Sequence, residues 1–537
     1  MMKLTTLLWL LFAAMPPAAA QSLAQSLDTA EVRAVVLGES EAKLRAIGAL
    51  AASGQPAALR FLEALQDGTI QIAGERVLDV KDEQGIDVVT GDKVMPLPEP
   101  REDVILNNRV RRELAAAIAA GKLASRDDSV RRAAAKMLQN GAGDEMLPLL
   151  QRARDAETVA DIRATLLLAT ARMELQSKDR AIRLSAIRSL AKSGNPNTRS
   201  LLSPVLERKG DTFTEPDGEL RTEAEISIRS VERRLATGEM IGRIFTGVSL
   251  GSILLLAALG LAITYGLMGV INMAHGELIM IGAYATYVVQ NFFRAHFPLM
   301  FDAYLFAAVP VAFAISGLVG MALERSVIRF LYGRPLETLL ATWGISLILI
   351  QAVRTLFGAQ NVQVENPVWM SGGVEIMSNL VLPWNRVVII GFAAAVVMLI
   401  WVVLSRTRLG LFVRGVTQNR PMASVLGVRT GRVDTYAFGL GSGIAGLAGC
   451  ALSQVGNVGP ELGQSTIVDS FMVVVLGGVG QLAGTVVAAL GLGVVNKFLE
   501  AWSGAVVAKI VVLMFVIVFI QKRPQGLFAL KGRMADA

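Results

Sequence analysis

A long apolar run between Ile244 and Phe293 constrains this chain more than any other feature. A membrane-spanning helix needs about 20 apolar residues, so the run is too long for one span and long enough for two. Its middle nevertheless carries Asn272, His275 and Glu277. Polar groups at membrane depth are costly, and they tend to face a protein interior or a water-filled path. We therefore predict that these three side chains line or gate a translocation pathway.

A structural role for the same three residues is the alternative. Asn272 and His275 would then cap a helix break, and Glu277 would bond to a neighbouring helix. Glycines surround the polar residues and would permit such a break; they are Gly266, Gly269, Gly276 and Gly282.

The chain divides into a charged half and an apolar half. It has 537 residues, of which 53% are hydrophobic, but apolar runs dominate only after about residue 240. This division predicts a soluble domain at 21–238, an all-α polytopic membrane domain of eight or nine spans at 239–525, and a tail at 526–537.

The first 20 residues predict a secretory signal peptide. Lys3 supplies a basic start, Leu4 to Ala14 an apolar core too short to span, and Ala18 to Ala20 a small-residue cleavage pattern. The mature chain would then begin near Gln21, on the far side of a bacterial inner membrane. An uncleaved N-terminal anchor is the alternative.

The soluble half predicts an exported domain of paired helices. The segments 46–62 and 186–202 resemble each other, and each places Ser-Gly-x-Pro between two helical stretches. Such recurrence indicates an α-helical repeat domain of the HEAT-like kind, and an ordinary helical bundle is the alternative. Residues 69–98 alternate apolar and polar residues between turn signals, which predicts a small β-hairpin insertion. This half shows no catalytic constellation, so we expect a docking or scaffold role.

Composition excludes several kinds of site. Cys450 is the single cysteine, which rules out an intrachain disulfide or a thiolate cluster, and two histidines argue against a His-based metal site. The sequence has no GxxxxGK[ST] phosphate loop, so we expect no cofactor in this chain, and if transport is energised by ATP, the ATPase is a separate subunit. The net charge of +7 is typical of basic cytoplasmic loops, and no basic patch with aromatic platforms indicates nucleic-acid binding.

Charge placement orients nine predicted spans. Arginine and lysine cluster after the third, fifth and ninth spans, and the positive-inside rule makes those segments cytoplasmic. Nine crossings then agree with an exported soluble half and a cytoplasmic C-terminus. If 466–481 re-enters without crossing, the last basic cluster would fall outside, against the rule. The predicted spans are 245–267, 271–292, 304–323, 338–357, 387–404, 434–454, 466–481, 483–499 and 504–520.

The longest predicted cytoplasmic loop, 405–432, contains a short amphipathic helix pattern. Asn419 is a candidate N-cap, Pro421 fits the first turn and Gly427 closes the unit. A short helix on that side suits a lever moved by a partner protein, and an ordinary packed loop is the alternative. One face of this helix is apolar, with Met422, Val425 and Leu426.

Several motifs, in order, resemble the permease subunits of branched-chain amino-acid-type ABC importers. They lie at 260–284, 415–428 and 473–495, and the segment 519–528 also fits. The exported helical extension makes the chain similar to the urea transporter branch, whose B-type permease carries such an extension. The resemblance implies half of the transmembrane pathway of a binding-protein-dependent importer, with urea or short amides as substrate. Branched-chain amino acids are the alternative, and a passive channel or a membrane scaffold are further ones.

The same resemblance implies the partners and the location. A second homologous permease, two cytoplasmic ABC ATPases and a periplasmic solute-binding protein would complete the importer in the lipid of the bacterial inner membrane. The N-terminal domain would be periplasmic and the C-terminus cytoplasmic.

Residue roles follow from the resemblance in two groups. The segment 415–428 would contain the coupling helix, where Arg414 and Arg420 would pair with acidic ATPase residues; positive-inside charge alone is the alternative for the two arginines. The coupling residues would be Arg414, Asn419, Arg420, Met422, Ala423, Leu426 and Gly427. Glycines would allow helix breaks or tight packing beside the pathway; these are Gly276, Gly477, Gly478 and Gly480.

Overall fold

The computed structural model is mostly helical and consists of two compact units that divide between Leu235 and Ala236. The predicted signal peptide at 1–20 and nearly all of the predicted tail at 526–537 lie outside the described residues. The structure describes residues 27–81, 84–141, 143, 146–209, 212–269, 271–377 and 379–528.

Short helices, most of them amphipathic, make up most of the first unit. Their buried faces form one apolar core around residues such as Ile47, Leu62 and Leu114, and a smaller core around Ile187 and Leu202. The helices are α1 Thr29–Leu37, α2 Ser40–Ser53, α3 Pro56–Asp67, α4 Asn108–Lys122, α5 Asp128–Gly141, α6 Leu147–Ala156, α7 Ala160–Glu174, α8 Arg180–Leu190 and α9 Asn197–Leu202.

The predicted helix–turn–helix at Ser53 to Pro56 is confirmed. Helix α2 ends at Ser53, Gly54 adopts a left-handed conformation with φ 64°, and α3 begins at Pro56. Glycine tolerates a positive φ, and proline lacks the N–H that a first helical turn leaves unpaired. The turn therefore stops one helix and starts the next within two residues.

The predicted β-hairpin insertion is larger than expected, because residues 70–103 form a five-stranded antiparallel sheet. The strand order is β4-β3-β2-β1-β5, and in the first pairing Ile70 lies opposite Asp79. The sequence pattern missed β5, which has only two residues, both polar, at the edge beside β1. The strands are β1 Ile70–Ala73, β2 Arg76–Lys81, β3 Gln84–Asp87, β4 Lys93–Val94 and β5 Glu102–Asp103.

Long helices form the second unit, and one of them begins in the first. Two short ladders, β6 Arg208–Lys209 with β7 Thr212–Phe213 and β8 Gly373–Met377 with β9 Leu380–Pro383, complete the strands. The remaining helices are α10 Gly218–Met268, α11 His275–His296, α12 Tyr304–Ser326, α13 Pro335–Phe357, α14 Trp384–Arg406, α15 Arg408–Gln418, α16 Arg420–Val425, α17 Thr430–Ser453, α18 Leu462–Gly477, α19 Leu482–Ser503 and α20 Ala505–Lys522.

Seven helices of the described residues are long and apolar enough to cross a membrane: α10, α12, α13, α14, α17, α19 and α20. The other two predicted spans correspond to α11 and α18. Helix α11 has 22 residues but carries charged and amide side chains, and α18 has only 16 residues. Both helices exist near their predicted positions, but neither has the length and apolarity of a lipid-exposed span.

Small residues bring the helices of the second unit into backbone contact. Helices α11, α12 and α17 pack together most extensively. Gly446 of α17 meets Gly282 of α11, and Gly320 of α12 meets Ser442 of α17. Lipid removes the hydrophobic drive for helix association, so close van der Waals contact through small residues has to stabilise the bundle.

A buried ion pair joins α5 to the connection between α6 and α7. Arg131 of α5 donates from Nε to Glu157 Oε2 at 2.8 Å and from Nη2 to Glu157 Oε1 at 3.1 Å. The Glu157 carboxylate also accepts from the backbone N–H of Val159 at 3.0 Å. The hydrogen bond from Arg131 is the largest cause of a lowered Glu157 pKa, and burial opposes it.

We predict that Glu157→Gln weakens the α5–α7 region at neutral pH and not in acid. A carboxyl whose pKa is lowered by folding stabilises the folded state above its unfolded pKa of about 4.3, and this contribution is lost as the pH falls through the folded pKa. Hydrogen exchange of α5 amides in the full chain should be several times faster in the variant at pH 7.

The difference from the wild type should disappear toward acid, where both side chains are neutral. Glu225→Gln is the matched control, because its pair with Arg229 is exposed on both sides, and such pairs contribute little. A difference that persists unchanged in acid would contradict the assignment to the ion pair.

Candidate functional site

The predicted polar cluster lies at a break between α10 and α11. Helix α10 ends at Met268, Gly269 has a positive φ of 64°, and α11 begins at His275. Asn272 is 1% exposed, and its Oδ1 accepts from the Ala274 N–H at 3.0 Å. Asparagine side chains favour such local turns, so Asn272 shapes the approach to α11.

His275 ties the start of α11 to α10. Its side chain is fully buried, and Nε2 lies 3.0 Å from the carbonyl oxygen of Ala257. A carbonyl can only accept, so Nε2 carries the proton and donates, which leaves Nδ1 as an acceptor in the neutral ring. Among the described residues Nδ1 has no partner.

Glu277 faces a polar stripe on α13 that the sequence analysis missed. The carboxyl is 1% exposed and lies beside the Ser346 hydroxyl, while Oε2 has no hydrogen-bond partner among the described residues. One turn earlier, the Thr342 Oγ1 accepts from the Met273 N–H at 3.2 Å. Thr338, Thr342 and Ser346 recur every fourth residue and are all buried; this helical spacing was readable in the sequence.

The three predicted residues thus come together at one helix start, and each keeps one unsatisfied polar atom. The Asn272 Nδ2 donor and the Glu277 Oε2 atom are buried without partners in the described part of the chain, as is His275 Nδ1. An unmade buried hydrogen bond costs about 1–3 kcal/mol. The arrangement offers donors and acceptors to a small polar solute or to water.

Gly276 sits directly behind this cluster, against α18. A Cβ on Gly463 would lie 2.5 Å from the Gly276 carbonyl carbon, and a Cβ on Gly276 would collide with the Gly463 backbone. Real Cβ atoms do not approach a backbone so closely, so both positions require glycine. The predicted packing role of Gly276 has this contact as its geometric basis.

The second predicted glycine group forms the connection from α18 to α19. Gly478 ends α18 with φ 99°, Gly480 has φ 78°, and a Cβ on Gly477 would lie 2.6 Å from the Gly484 carbonyl carbon. The segment after α20 folds back onto it, because the Leu527 N–H donates to the Leu476 carbonyl at 2.8 Å. Two motifs that are distant in sequence therefore meet in one place.

The short helix α16 has the predicted caps. The Asn419 Oδ1 accepts from the Met422 N–H at 3.0 Å, Pro421 lies in the first turn, and Gly427 has φ 85°. The apolar face is largely open to solvent, since Val425 is 83% and Leu426 76% exposed. An exposed apolar face of this kind on a basic loop is typical of a protein-binding surface.

Three of the predicted coupling residues differ in exposure and contacts. Ala423 is buried against Val416 of α15 and Val433 of α17, so it packs α16 onto these helices instead of offering a contact surface. Arg420 pairs with Asp434 within the same chain, and its pairing with a partner subunit stays a prediction. Arg414 is exposed on α15.

Among the described residues, no group of three or more His, Cys, Asp or Glu side chains is placed to hold a metal ion.

Comparison with known proteins identifies the family of the second unit. The family described as "Branched-chain amino acid transport system / permease component" matches residues 243–521, more than half of the chain. The chain belongs to this permease family. The permease is a membrane-spanning transport subunit and not an enzyme, and the family part of the resemblance is confirmed.

Curated relatives align along nearly their whole length. The high-affinity branched-chain amino acid transport system permease protein LivH of Salmonella typhimurium is 30% identical over 294 residues, covering 53% of this permease and 94% of the relative. The Escherichia coli protein of the same name gives the same values. The corresponding permease protein BraD of Pseudomonas aeruginosa is 27% identical over 295 residues. No solved structure matches this permease significantly.

We predict that Gly276→Ala disrupts the permease while Gly344→Ala does not. The new methyl group at 276 would meet the Gly463 backbone, whereas a Cβ at 344, within α13, meets nothing within 4 Å. Overpacking typically costs about 1–3 kcal/mol, so Gly276→Ala should lower the melting temperature in detergent and the yield of folded protein. Equal stability of the two variants would contradict the contact between α11 and α18.

Proposed function

We propose that this chain is a permease subunit of a binding-protein-dependent ABC importer for branched-chain amino acids. The carrying observation is the family match over the membrane unit, supported by relatives whose names specify branched-chain amino acid transport. The chain supplies one half of the transmembrane pathway, and a second homologous permease supplies the other. Two ATPases on the cytoplasmic side bind ATP and Mg²⁺, and a periplasmic solute-binding protein delivers the substrate.

The proposed mechanism is alternating access driven through the coupling loop. The apolar face of α16, with Met422 and Leu426, enters a groove of one ATPase, and Arg414 adds positive charge beside it. Nucleotide binding shifts an equilibrium between two states of the bundle only if the ATPases bind the two states with different affinity. The exposed apolar side chains of α16 supply a surface for such a difference.

Asn272, His275 and Glu277 are proposed to form the gate. They are buried at a helix break, which is a place where small backbone rotations expose or cover polar atoms. Their unsatisfied donors and acceptors would bond to a passing solute or its water when the bundle opens.

Branched-chain amino acids are preferred over urea because of the named relatives. The argument for urea rests on the exported helical extension, residues 21–238, which lies outside the 243–521 match and carries no substrate-reading motif. We assign that extension a HEAT-like repeat fold in the periplasm and propose that it contacts the solute-binding protein. Cross-linking from the 69–98 segment should then capture that protein.

We predict that cells with this gene take up radiolabelled leucine, and that excess unlabelled isoleucine competes while urea does not. ATP depletion should abolish the uptake, because hydrolysis drives the cycle. A strain lacking the gene is the control. Competition by urea alone would indicate urea as the substrate in place of branched-chain amino acids. Uptake that survives ATP depletion would indicate a channel.

A scaffold function makes a different prediction. Deletion of residues 22–235 would remove all function from a scaffold, whereas a permease would retain residual ATP-dependent uptake through the membrane unit.

We predict that Asn272→Ala and His275→Ala each reduce uptake about tenfold, the rate equivalent of one lost buried hydrogen bond, while the assembled complex remains. Uptake per assembled complex, measured after purification, separates this effect from misassembly. Ser405→Ala is a control, because it removes another buried hydroxyl without a partner among the described residues, at the end of α14. Wild-type transport by both variants would remove the gate assignment.

A further inference from the structure

Two carboxylates lie fully buried at the end of the second unit that carries the coupling loop. Asp434 is in the first turns of α17, and Glu324 is near the end of α12; both have 0% exposure. Buried charges are tolerated only where they are paired or fully hydrogen-bonded. The partners of these two groups therefore show which elements have to stay together.

Glu324 joins α12 to α17. Its Oε1 accepts from the Tyr332 hydroxyl at 3.0 Å, and its Oε2 accepts from the Thr435 hydroxyl at 2.6 Å. Both oxygens are thus used by neighbouring side chains, and neither depends on the coupling loop.

Asp434 depends on the coupling loop. Arg420, the first residue of α16, donates from Nη2 to Asp434 Oδ2, and its guanidinium carbon lies 5.0 Å from the centre of the Tyr332 ring. Arg329 also acts electrostatically on Asp434 from the segment after α12. Arginine is suited to such a place because it stacks on an aromatic face while donating to a carboxylate.

Helix α17 is the helix that connects this pair to the gate. It packs against α11 through Gly446 on Gly282 and through Gly449 on the Ile279 carbonyl, and it packs against α12. Helix α11 begins at His275 and carries Glu277. A displacement of α17 therefore has to displace or strain the helix that begins at the gate.

We propose that the Arg420–Asp434 ion pair is an intramolecular tether through which movement of the coupling loop becomes movement of α17. The inference rests on the proposed function of the loop. Arg420 is a positioning residue in this scheme: its charge is used inside the chain, not on a partner, and separating it from Asp434 would leave a buried carboxylate without its main partner.

The test uses the assembled importer in proteoliposomes and measures ATP hydrolysed per leucine imported. Arg420→Met should raise this ratio about fivefold or more, the scale of a typical coupling free energy between sites, because hydrolysis continues while α17 no longer follows. Arg420→Lys keeps the charge without the planar stack and should give an intermediate ratio. An unchanged ratio in Arg420→Met would overturn the tether.

A double variant separates tethering from mere stability. Arg420→Met/Asp434→Asn removes both charges, so it should recover the melting temperature lost in Arg420→Met but keep the high ratio. If the double variant regains the wild-type ratio, the pair is only structural and the proposal is wrong. If Arg420→Met does not assemble, the Lys and double variants supply the same comparison. Arg334→Met is the control, because its pair with Glu337 is exposed.

A second readout does not depend on the transported solute. Cys450, the single cysteine of the chain, is buried in α17. Adding ATP to the wild-type complex should change the rate at which a small methanethiosulfonate reagent modifies Cys450, followed by mass spectrometry of this chain, and Arg420→Met should lose that change. An equal change in both proteins, or none in the wild type, would overturn the tether even if the substrate were not leucine.

Discussion

Backbone-to-backbone contact through glycine is the constraint on which the membrane unit depends. Helix α11 meets α18 at Gly276 and Gly463, and it meets α17 at Gly282 and Gly446. In lipid, helices gain nothing from leaving water, so their association depends on how closely their backbones approach. These contacts hold α11 from two sides, which keeps a polar helix of 22 residues inside a bundle of more apolar ones.

The polar cluster at the start of α11 exists because that packing supports it. Three side chains at the start of α11 each leave one buried atom unpaired, at about 1–3 kcal/mol per atom. Extensive dispersion contact along α11 offsets this cost, since buried side chains and backbones gain many small attractions. The same packing links this cluster to α17, whose first turns carry Asp434, the ion-pair partner of Arg420. The close helix packing and the three polar side chains are therefore parts of one arrangement.

Local sequence signals predicted helix ends and turns well, whereas contacts between residues distant in sequence could not be predicted. The Gly54 turn, the Asn419 cap and the helix break before His275 all follow from residues within a few positions of one another. The sequence also indicated Asn272, His275 and Glu277 as polar groups out of place. It could not show that Arg420 turns inward to Asp434, because both an internal and an external partner suit an arginine on a basic loop.

Two other differences have equally physical reasons. The edge strand β5 has two polar residues, too few for any alternation to be visible. The hydroxyls of α13 that face Glu277 recur at a helical spacing. Threonine and serine hydroxyls can, however, hydrogen-bond to carbonyls of their own helix, so they do not stand out in an apolar run. Short elements and self-satisfied polar groups escape pattern analysis for the same reason: their significance lies in a neighbour far away in the chain.

The fold-back of the segment after α20 has a consequence for biosynthesis. The Leu527 N–H reaches the Leu476 carbonyl at the end of α18, and a ribosome makes these two residues far apart in time. The carbonyls that end α18 therefore wait, without these partners, until α20 has been translated and inserted. Completion of this part of the bundle is then a late event in synthesis.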